Sequence, residues 1–346
     1  MLTIEKENNR DIKPKIKYEG KDIRISLIRI IATIGIVACH IFQEYGSELA
    51  NWFNVNVQVF LFMSGFLYGN KTIENKILWI KNRLIRILVP YYMFLILAII
   101  IYMIFGSNLI SFSNTFTNIL CLQLFWDGIP GLGHLWFIPL ILFCYIITPL
   151  LQSVKNKISK NKKYFILIFL VIIIIHSLIM IPTIKMRYIT SIITYIIGYF
   201  ISTYYQENKK VKKISTIIIT AIAILLVILE LIMPTFMNNK IIYKILNFAI
   251  YYRNLFLGIA IFMILYNLIE VIRKNKLYYY NKSLIKIDSY TFYVYITHGI
   301  WILGPLSLLA ITNNIIMNFI ITFTIIIVNT VILKYISDKV IAKFQK

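Results

Sequence analysis

The chain contains repeated apolar runs of about twenty residues with few or no charges, and this pattern restricts the fold more than any other feature. As a helix, such a run crosses a hydrocarbon core of about 30 Å and satisfies its backbone hydrogen bonds within itself. The composition agrees, since 59% of the residues are hydrophobic and only 14% are charged. The pattern predicts an all-α, polytopic integral membrane protein with about ten transmembrane helices. The ten candidate spans are residues 24–43, 52–69, 90–108, 134–152, 163–181, 188–205, 214–233, 248–269, 289–309 and 315–335.

The distribution of lysine and arginine predicts how these spans are oriented. Connections that stay in the cytoplasm are enriched in basic residues. With ten spans, 30 of the 36 basic residues fall on one side of the membrane, in the N-terminal head, alternate loops and the tail. Both termini are therefore predicted to be cytoplasmic. Residues 1–23 form the N-terminal segment, 24–336 the ten-helix membrane core and 337–346 the tail.

The net charge of +22 and the three cysteines indicate which partners and metal sites to expect. The basic residues are dispersed through short loops, so membrane topology and attraction to the lipid bilayer explain them more simply than nucleic-acid binding does. The cysteines Cys39, Cys121 and Cys144 are odd in number and lack the spacing of metal ligands. We expect no nucleic-acid partner, no disulfide framework and no metal.

One stripe of the first span carries two ionisable side chains, Arg29 and His40, eleven residues apart. Eleven helical steps return to nearly the same face about 16 Å further along the axis. A charge within a span is costly unless it faces protein or water, so the pair indicates a functional site. The alternative is that Arg29 snorkels and His40 lies at the opposite interface without a task. Glu44, one turn later, either orients the His40 imidazole or is a solvated loop residue.

A basic amphipathic stretch after the second span holds candidate phosphate ligands. It is typical of an interfacial cytoplasmic helix, and we expect it to end at Pro90. Arg83 and Arg86 are three residues apart and emerge on one face of this helix. Together with Lys81 they would hold phosphates, because guanidinium forks match phosphate oxygens. Positive-inside topology alone would also place arginines there.

The second span contains Ser64 and Gly65 within a run of large side chains. Small residues allow another helix, or a ligand, to come close. The pair therefore predicts either a helix contact or part of a ligand channel.

Several polar residues are candidates for the outer part of a channel. His134 and Trp136 follow the external segment 109–133, whose glycine-rich end is either a re-entrant cover over a cavity or part of the aromatic belt. Arg253 lies near the start of the eighth span. Facing inward it would bind an anionic or hydroxyl-rich acceptor, and facing outward it would snorkel. Glu230 is a candidate partner for Arg253 or for an outer lysine.

The ninth span has a window that is too polar to face lipid on every side. It includes Tyr295 and His298, and His298 falls near the middle of the membrane. This position favours a buried, hydrogen-bonded role, and we expect both residues to line a channel.

Five short motifs in this order resemble those of the acyltransferase 3 family of membrane acyltransferases. They are the pair Arg29 and His40, FLFMSGFL in the second span, the Arg-x-x-Arg of Arg83 and Arg86, WFIPL from Trp136, and YVYITH ending at His298. Five such motifs in the expected order and topology form a specific signal. The resemblance covers residues 22 to about 310.

The resemblance implies a ten-span enzyme of the cell membrane that moves an acyl group, commonly acetyl, between the two sides. The donor would be cytoplasmic acetyl-CoA, and the acceptor a hydroxyl of an extracytoplasmic glycan or surface polysaccharide. His40 would be the general base, because an imidazole with an unperturbed pKa near 6.5 accepts a proton at neutral pH. Arg29 would stabilise the oxyanion or position the cofactor. The other roles would be donor binding by Arg83, Arg86, Lys81, Ser64 and Gly65, and channel lining by His298, Tyr295, Arg253, Trp136 and His134.

Two other functions compete with acyl transfer. A transporter or flippase that exports a surface polysaccharide or lipid-linked sugar would also need a polar channel, but it would not need Arg83 and Arg86 in phosphate-binding register. A structural or sensory subunit would use the intramembrane charges as packing pairs, which fits poorly with so many polar positions in the first, second, eighth and ninth spans.

Overall fold

The computed structural model describes residues 22–106, 109–158, 186–273 and 281–344. Every regular element in these ranges is helical, and no strand occurs within them. The helices, numbered in chain order, are α1 Ile23–Glu44, α2 Leu49–Phe53, α3 Asn56–Gly69, α4 Lys76–Phe105, α5 Phe112–Ile119, α6 Phe137–Ile158, α7 Met186–Glu207, α8 Lys209–Ile232, α9 Lys240–Ile250, α10 Arg253–Arg273, α11 Asn281–Asp288, α12 Thr291–Thr297, α13 Gly299–Ile302 and α14 Ile315–Phe344.

Six helical stretches among the described residues are long and apolar enough to cross a membrane, which confirms an all-helical, multi-pass architecture. They are Ile23–Glu44, Lys76–Phe105, Gly133–Lys157, Lys209–Phe236, Lys240–Ile272 and Ile315–Phe344. The predicted fifth span, 163–181, lies outside the described residues. The predicted second span is divided between α2 and α3, and the ninth between α12 and α13. The count of ten spans and the cytoplasmic position of both termini stay predictions.

Helix α4 corrects one boundary that the sequence pattern predicted. It begins at an Asn75 cap, whose side chain accepts a hydrogen bond from the Leu78 amide, and it runs through Pro90 without ending there. A proline in a helix interior removes one backbone donor. Helix α4 nevertheless continues, because Tyr91 and Phe94 extend the same buried face into the core on the far side of the proline.

The closest packing in the bundle lies between α3 and α7 and depends on small residues. A Cβ atom added to Gly65 would overlap the carbonyl oxygen of Tyr195, and one added to Gly198 would overlap that of Phe62. Glycines at such positions let two helix backbones approach each other closely. Gly65, predicted to bind the donor, is therefore a packing residue, as the alternative interpretation of the Ser-Gly pair proposed.

Candidate active site

Three histidines from separate parts of the chain form a cluster at one end of α1. His40 lies near the end of α1, His134 in the 3-10 turn before α6, and His298 between α12 and α13. The ring centroids of His40 and His298 are 4.9 Å apart, those of His134 and His298 4.8 Å, and those of His40 and His134 5.8 Å. His134 and His298 are buried, whereas His40 is partly exposed. His40 is therefore the member of the cluster that a ligand can reach.

The hydrogen bonds of the cluster determine which nitrogen of His40 is free. His298 Nδ1 lies 3.0 Å from the Val294 carbonyl oxygen, which only accepts, so Nδ1 carries the hydrogen. In the neutral ring, His298 Nε2 is then an acceptor, and it lies 2.7 Å from His40 Nδ1. His40 Nδ1 therefore donates, and the lone pair of the neutral His40 ring is on Nε2. An imidazole held in this tautomer is suited to act as a general base.

Glu44 is not the group that orients His40. The Glu44 carboxylate is exposed and accepts a 3.3 Å hydrogen bond from the Gly304 amide, on the segment that follows α13. The orienting position on His40 Nδ1 is held by His298 instead. The sequence analysis left open whether Glu44 orients His40 or is a solvated residue, and its exposed carboxylate agrees with the second alternative.

Tyr295 and Gly299 fix the cluster from α12 and α13. The Tyr295 hydroxyl donates a 2.5 Å hydrogen bond to the His134 carbonyl oxygen. The His134 ring lies directly against Gly299, where any Cβ atom would overlap the imidazole. Sequence reasoning missed Gly299, although a glycine immediately after His298 in a polar part of a span was a usable signal.

The glycine-rich segment before His134 contacts the segment after α13. Gly131 and Gly304 both have positive φ angles, of 74° and 75°, and a Cβ atom on either would crowd the other segment. Leu132 is fully buried, whereas Trp126 is exposed. The inner end of the loop therefore covers the bundle, while the outer end has the exposure expected of an aromatic belt.

A cavity of about 390 Å³, here called the arginine cavity, lies between α1, α3, α4, α6 and α12. It contains five of the predicted residues, which are Arg29, Ser64, Arg83, Arg86 and Tyr295. Its full lining is Arg29, Ile36, Phe60, Ser64, Leu67, Tyr68, Arg83, Arg86, Ile87, Phe137, Ile141, Tyr145, Asp288, Ser289, Thr291, Phe292 and Tyr295. The residues that the sequence assigned to cofactor binding thus converge, with two exceptions.

The exceptions are Gly65, described above, and Lys81. Lys81 is exposed and does not line the arginine cavity. It lies two residues before Arg83, so on a helix it points about 200° away from that side chain. Arg83 packs over the rings of Tyr68 and Trp79, at 5.0 and 5.4 Å, and neither Arg83 nor Arg86 has a carboxylate within 4 Å in the described part of the chain.

Arg29 is held by a partner that the sequence analysis did not identify. One guanidinium nitrogen lies 2.7 and 2.8 Å from the two carboxylate oxygens of Asp288, and Ser26 donates to the same carboxylate at 2.9 Å. Asp288 is buried, while Arg29 remains partly open to the cavity. The signal in the sequence was an acidic residue at the border of a predicted span, where a carboxylate needs a partner.

The arginine cavity extends towards the histidine cluster along one face of α1. Ile36 lines the cavity and lies one helical turn before His40. Tyr295 also lines the cavity, and its ring centroid is 6.0 Å from that of His298 and 5.6 Å from that of His134. A long molecule entering near Arg83 and Arg86 would therefore have its far end directed at the cluster.

A second cavity, here called the amide cavity, contains two other predicted residues, Trp136 and Arg253. Its volume is about 360 Å³, and its lining is Asn51, Asn54, Val57, Gln58, Trp136, Thr190, Asn247, Ile250, Tyr251, Arg253 and Asn254. Arg253 forms an ion pair with Glu230 at 2.5 and 2.6 Å, which confirms one of the two partners predicted for Glu230. The Arg253 guanidinium also lies 4.9 Å from the ring centroid of Trp52.

Among the described residues, no group of three or more metal-ligating side chains has the geometry to hold a metal ion. Within the histidine cluster, both nitrogens of His298, Nδ1 of His40 and Nε2 of His134 lie within hydrogen-bond distance of protein atoms, the last at 3.2 Å from the Ile296 carbonyl oxygen.

Comparison with known proteins places nearly the whole chain in one group. The model of a protein family described as an acyltransferase domain matches residues 22–337. The match includes the histidine cluster and the lining of both cavities. The comparisons with curated proteins and with solved structures gave no match.

Proposed function

Because the chain belongs to the acyltransferase 3 family, we propose that it is an O-acetyltransferase of the cell membrane that uses acetyl-CoA to acetylate an extracytoplasmic glycan. Family membership supports a membrane acyltransferase. The donor, the acceptor and the direction of transfer are our proposal. The observation that carries it is the approach of the arginine cavity to His40, through Ile36 and Tyr295.

The positive charge of the arginine cavity supports a phosphorylated donor. The pyrophosphate of coenzyme A would be bound by Arg83 and Arg86, whose guanidinium groups have no carboxylate partner within 4 Å among the described residues. The pantetheine arm would then follow the face of α1 past Ser64 towards the histidine cluster. Arg29, held by Asp288, would position the arm, because eleven helical residues separate it from His40 by about 16 Å.

The chemical step would be a direct transfer at His40. Nε2 of His40 takes the proton of the acceptor hydroxyl, and the resulting oxygen attacks the thioester carbonyl carbon. The C–S bond then breaks, and the coenzyme A thiolate leaves and takes up the proton from His40. His298 holds His40 in the required tautomer through the 2.7 Å hydrogen bond to Nδ1, and so acts as a positioning residue.

The first prediction tests this role with His40→Asn. We expect transfer of label from radiolabelled acetyl-CoA to surface glycan to fall by about 10²–10⁴-fold, because that is the usual contribution of a general base. The affinity for acetyl-CoA should stay within about twofold of the unmodified protein, since His40 does not line the arginine cavity. Mass spectrometry of the glycan should show the loss of a mass equal to one acetyl group.

A matched control is Gln43→Ala, which changes an exposed residue in the same last turns of α1. It should leave the transfer rate within twofold. Retained transfer in His40→Asn would remove His40 from the chemistry. Glycan that reaches the surface without any label, and whose export depends on this protein, would instead support a transporter.

A further inference from the structure

A third cavity lies at the same end of the bundle as Arg83 and Arg86, and no role described above involves it. Its volume is about 570 Å³, within the range of about 300–1,000 Å³ that is typical of ligand sites. It is formed by the ends of α3, α6 and α7 and the segment that follows α3. Two lysines line it, Lys71 and Lys155, so we call it the lysine pocket.

Lys155 is held in place by neutral groups. Its amine donates to the Gly69 carbonyl oxygen at 2.6 Å and to the Thr203 hydroxyl at 2.5 Å. Asn70, whose side-chain oxygen accepts from Thr203 at 2.6 Å, completes this arrangement. Both acceptors of the Lys155 amine are neutral, so neither contact cancels a positive charge on this group. Glu207 also lines the pocket, but it is not within 4 Å of either lysine amine.

Lys71 links the lysine pocket to the arginine cavity. Its amine lies 5.9 Å from the centroid of the Tyr68 ring, and the Arg83 guanidinium lies 5.0 Å from the same centroid. The two charges are therefore less than about 11 Å apart. Partial burial lowers the pKa of the Lys71 amine, and repulsion by Arg83 lowers it further. Two cations therefore lie near one tyrosine: Lys71 lines the lysine pocket, while Arg83 and Tyr68 line the arginine cavity.

We propose that the lysine pocket binds the 3′-phosphate end of coenzyme A, through Lys71 and Lys155, while Arg83 and Arg86 hold the pyrophosphate. This inference rests on the proposed function, since it requires coenzyme A as the donor. The 3′-phosphate is a terminal phosphomonoester that carries close to two negative charges, and two ammonium groups match it. The arrangement makes the protein selective for coenzyme A over its 3′-dephospho form.

The test measures binding of acetyl-CoA and of 3′-dephospho-acetyl-CoA to the full-length protein in nanodiscs of neutral lipid. For the unmodified protein we expect the dephospho form to bind about tenfold or more weakly, because charge-assisted hydrogen bonds are lost. Lys71→Gln should weaken acetyl-CoA binding by a similar factor and leave the dephospho form unchanged. Lys155→Gln should behave in the same way, with thermal unfolding followed in parallel because Lys155 also supports the fold.

The matched control is Lys209→Gln, which removes one exposed charge at the start of α8, outside the lysine pocket and the arginine cavity. Lys209→Gln should keep the affinities of the unmodified protein for both ligands, and therefore its preference for acetyl-CoA over the dephospho form. Equal binding of both ligands to the unmodified protein would overturn the 3′-phosphate site and leave the proposed function intact. Failure of the unmodified protein to bind either ligand would contradict the proposed function itself.

A phospholipid headgroup offers the same phosphate chemistry, and a second set of nanodiscs separates the two sources. If anionic lipid weakens acetyl-CoA binding by the unmodified protein but not by Lys71→Gln, the lysine pocket binds a lipid headgroup, and our inference is wrong. Equal 3′-phosphate discrimination in neutral and in anionic lipid would support it.

Discussion

The arginine cavity and the amide cavity both contain arginine inside an apolar bundle, but only in the amide cavity is the arginine charge fully matched by a carboxylate. The arginine cavity is lined by three arginines and one aspartate, so it keeps two positive charges. In the amide cavity the charge of Arg253 is matched by Glu230, and the remaining polar lining consists of amides and hydroxyls. An uncompensated cationic cavity suits a phosphorylated ligand, whereas a neutral cavity rich in hydrogen-bonding groups suits a hydroxylated one.

This difference shows that the presence of an arginine within a span does not by itself indicate its role, which depends on the carboxylates near it. Glu230 neutralises Arg253, whereas Arg83 and Arg86 have no carboxylate within 4 Å among the described residues and are open to an anionic ligand. The proposed function has the donor in the arginine cavity, and we propose in addition that the acceptor binds in the amide cavity. The histidine cluster would then lie between donor and acceptor. Tyr295 lines the arginine cavity and contacts the His134 ring, and His134 lies two residues before Trp136, which lines the amide cavity.

The largest effect should come from neutralising the arginine cavity. We expect Arg83→Gln combined with Arg86→Gln to raise the Kd for acetyl-CoA by about 100-fold, since two charge-assisted phosphate contacts are lost. The Kd of the unmodified protein should rise with ionic strength, and that of the double variant should rise less steeply. Titrations at several salt concentrations measure both.

Lys209→Gln combined with Lys210→Gln removes the same charge from exposed positions on α8 and serves as the control. If the two double variants have the same affinity, the arginines reflect membrane topology alone. The proposed contrast between the cavities would then be wrong.

A smaller effect should follow when the amide cavity is made to resemble the arginine cavity. Glu230→Gln leaves the buried Arg253 without its carboxylate, and we expect the free energy of unfolding to fall by about 1–3 kcal/mol, less than for a fully buried pair because Glu230 is partly exposed. Denaturant titration in micelles measures this change. Glu48→Gln, at an exposed position before α2, should change stability by no more than about 0.5 kcal/mol.

Adding Arg253→Met to Glu230→Gln should restore much of the lost stability, because a buried ion pair can often be replaced by apolar groups. If the single and the double variants are equally unstable, Arg253 has another role that the ion pair does not explain.

The smallest effect is expected at the aromatic wall of the amide cavity. Trp136→Ala should raise the KM for the glycan acceptor by about threefold to tenfold, because an aromatic face is lost from the lining. The Kd for acetyl-CoA should not change, since Trp136 does not line the arginine cavity. Steady-state kinetics with the acceptor and acetyl-CoA varied in turn separates an effect on acceptor binding from an effect on donor binding.

Trp126→Ala is the matched control, because Trp126 is exposed on the loop before His134. It should leave both constants unchanged. An equal rise in the KM for the acceptor in both variants would remove the amide cavity from acceptor binding.

The helical class and several helix boundaries followed from local pattern. The start of α1 is one example: the apolar pattern predicts a span from residue 24, and the helix begins at Ile23, where the Asp22 side chain accepts a hydrogen bond from the Arg24 amide. Local pattern failed where packing outweighed propensity, as at Pro90 inside α4, or where polar residues broke a span, as between α12 and α13 at His298. At those positions the stability of the helix depends on contacts with residues distant in sequence, which the periodicity of the local sequence does not describe.

The sequence by itself determined that this chain is helical, that it is fit for a membrane, and that Arg29 and His40 share a stripe, because helical periodicity acts over a few turns. It also selected Arg83 and Arg86 as a pair. Only the tertiary structure decided that His40 bonds to a histidine 258 residues away, and that Arg29 bonds to an aspartate 259 residues away. These partners depend on how helices rotate and pack against one another, and no short-range pattern in the chain specifies that.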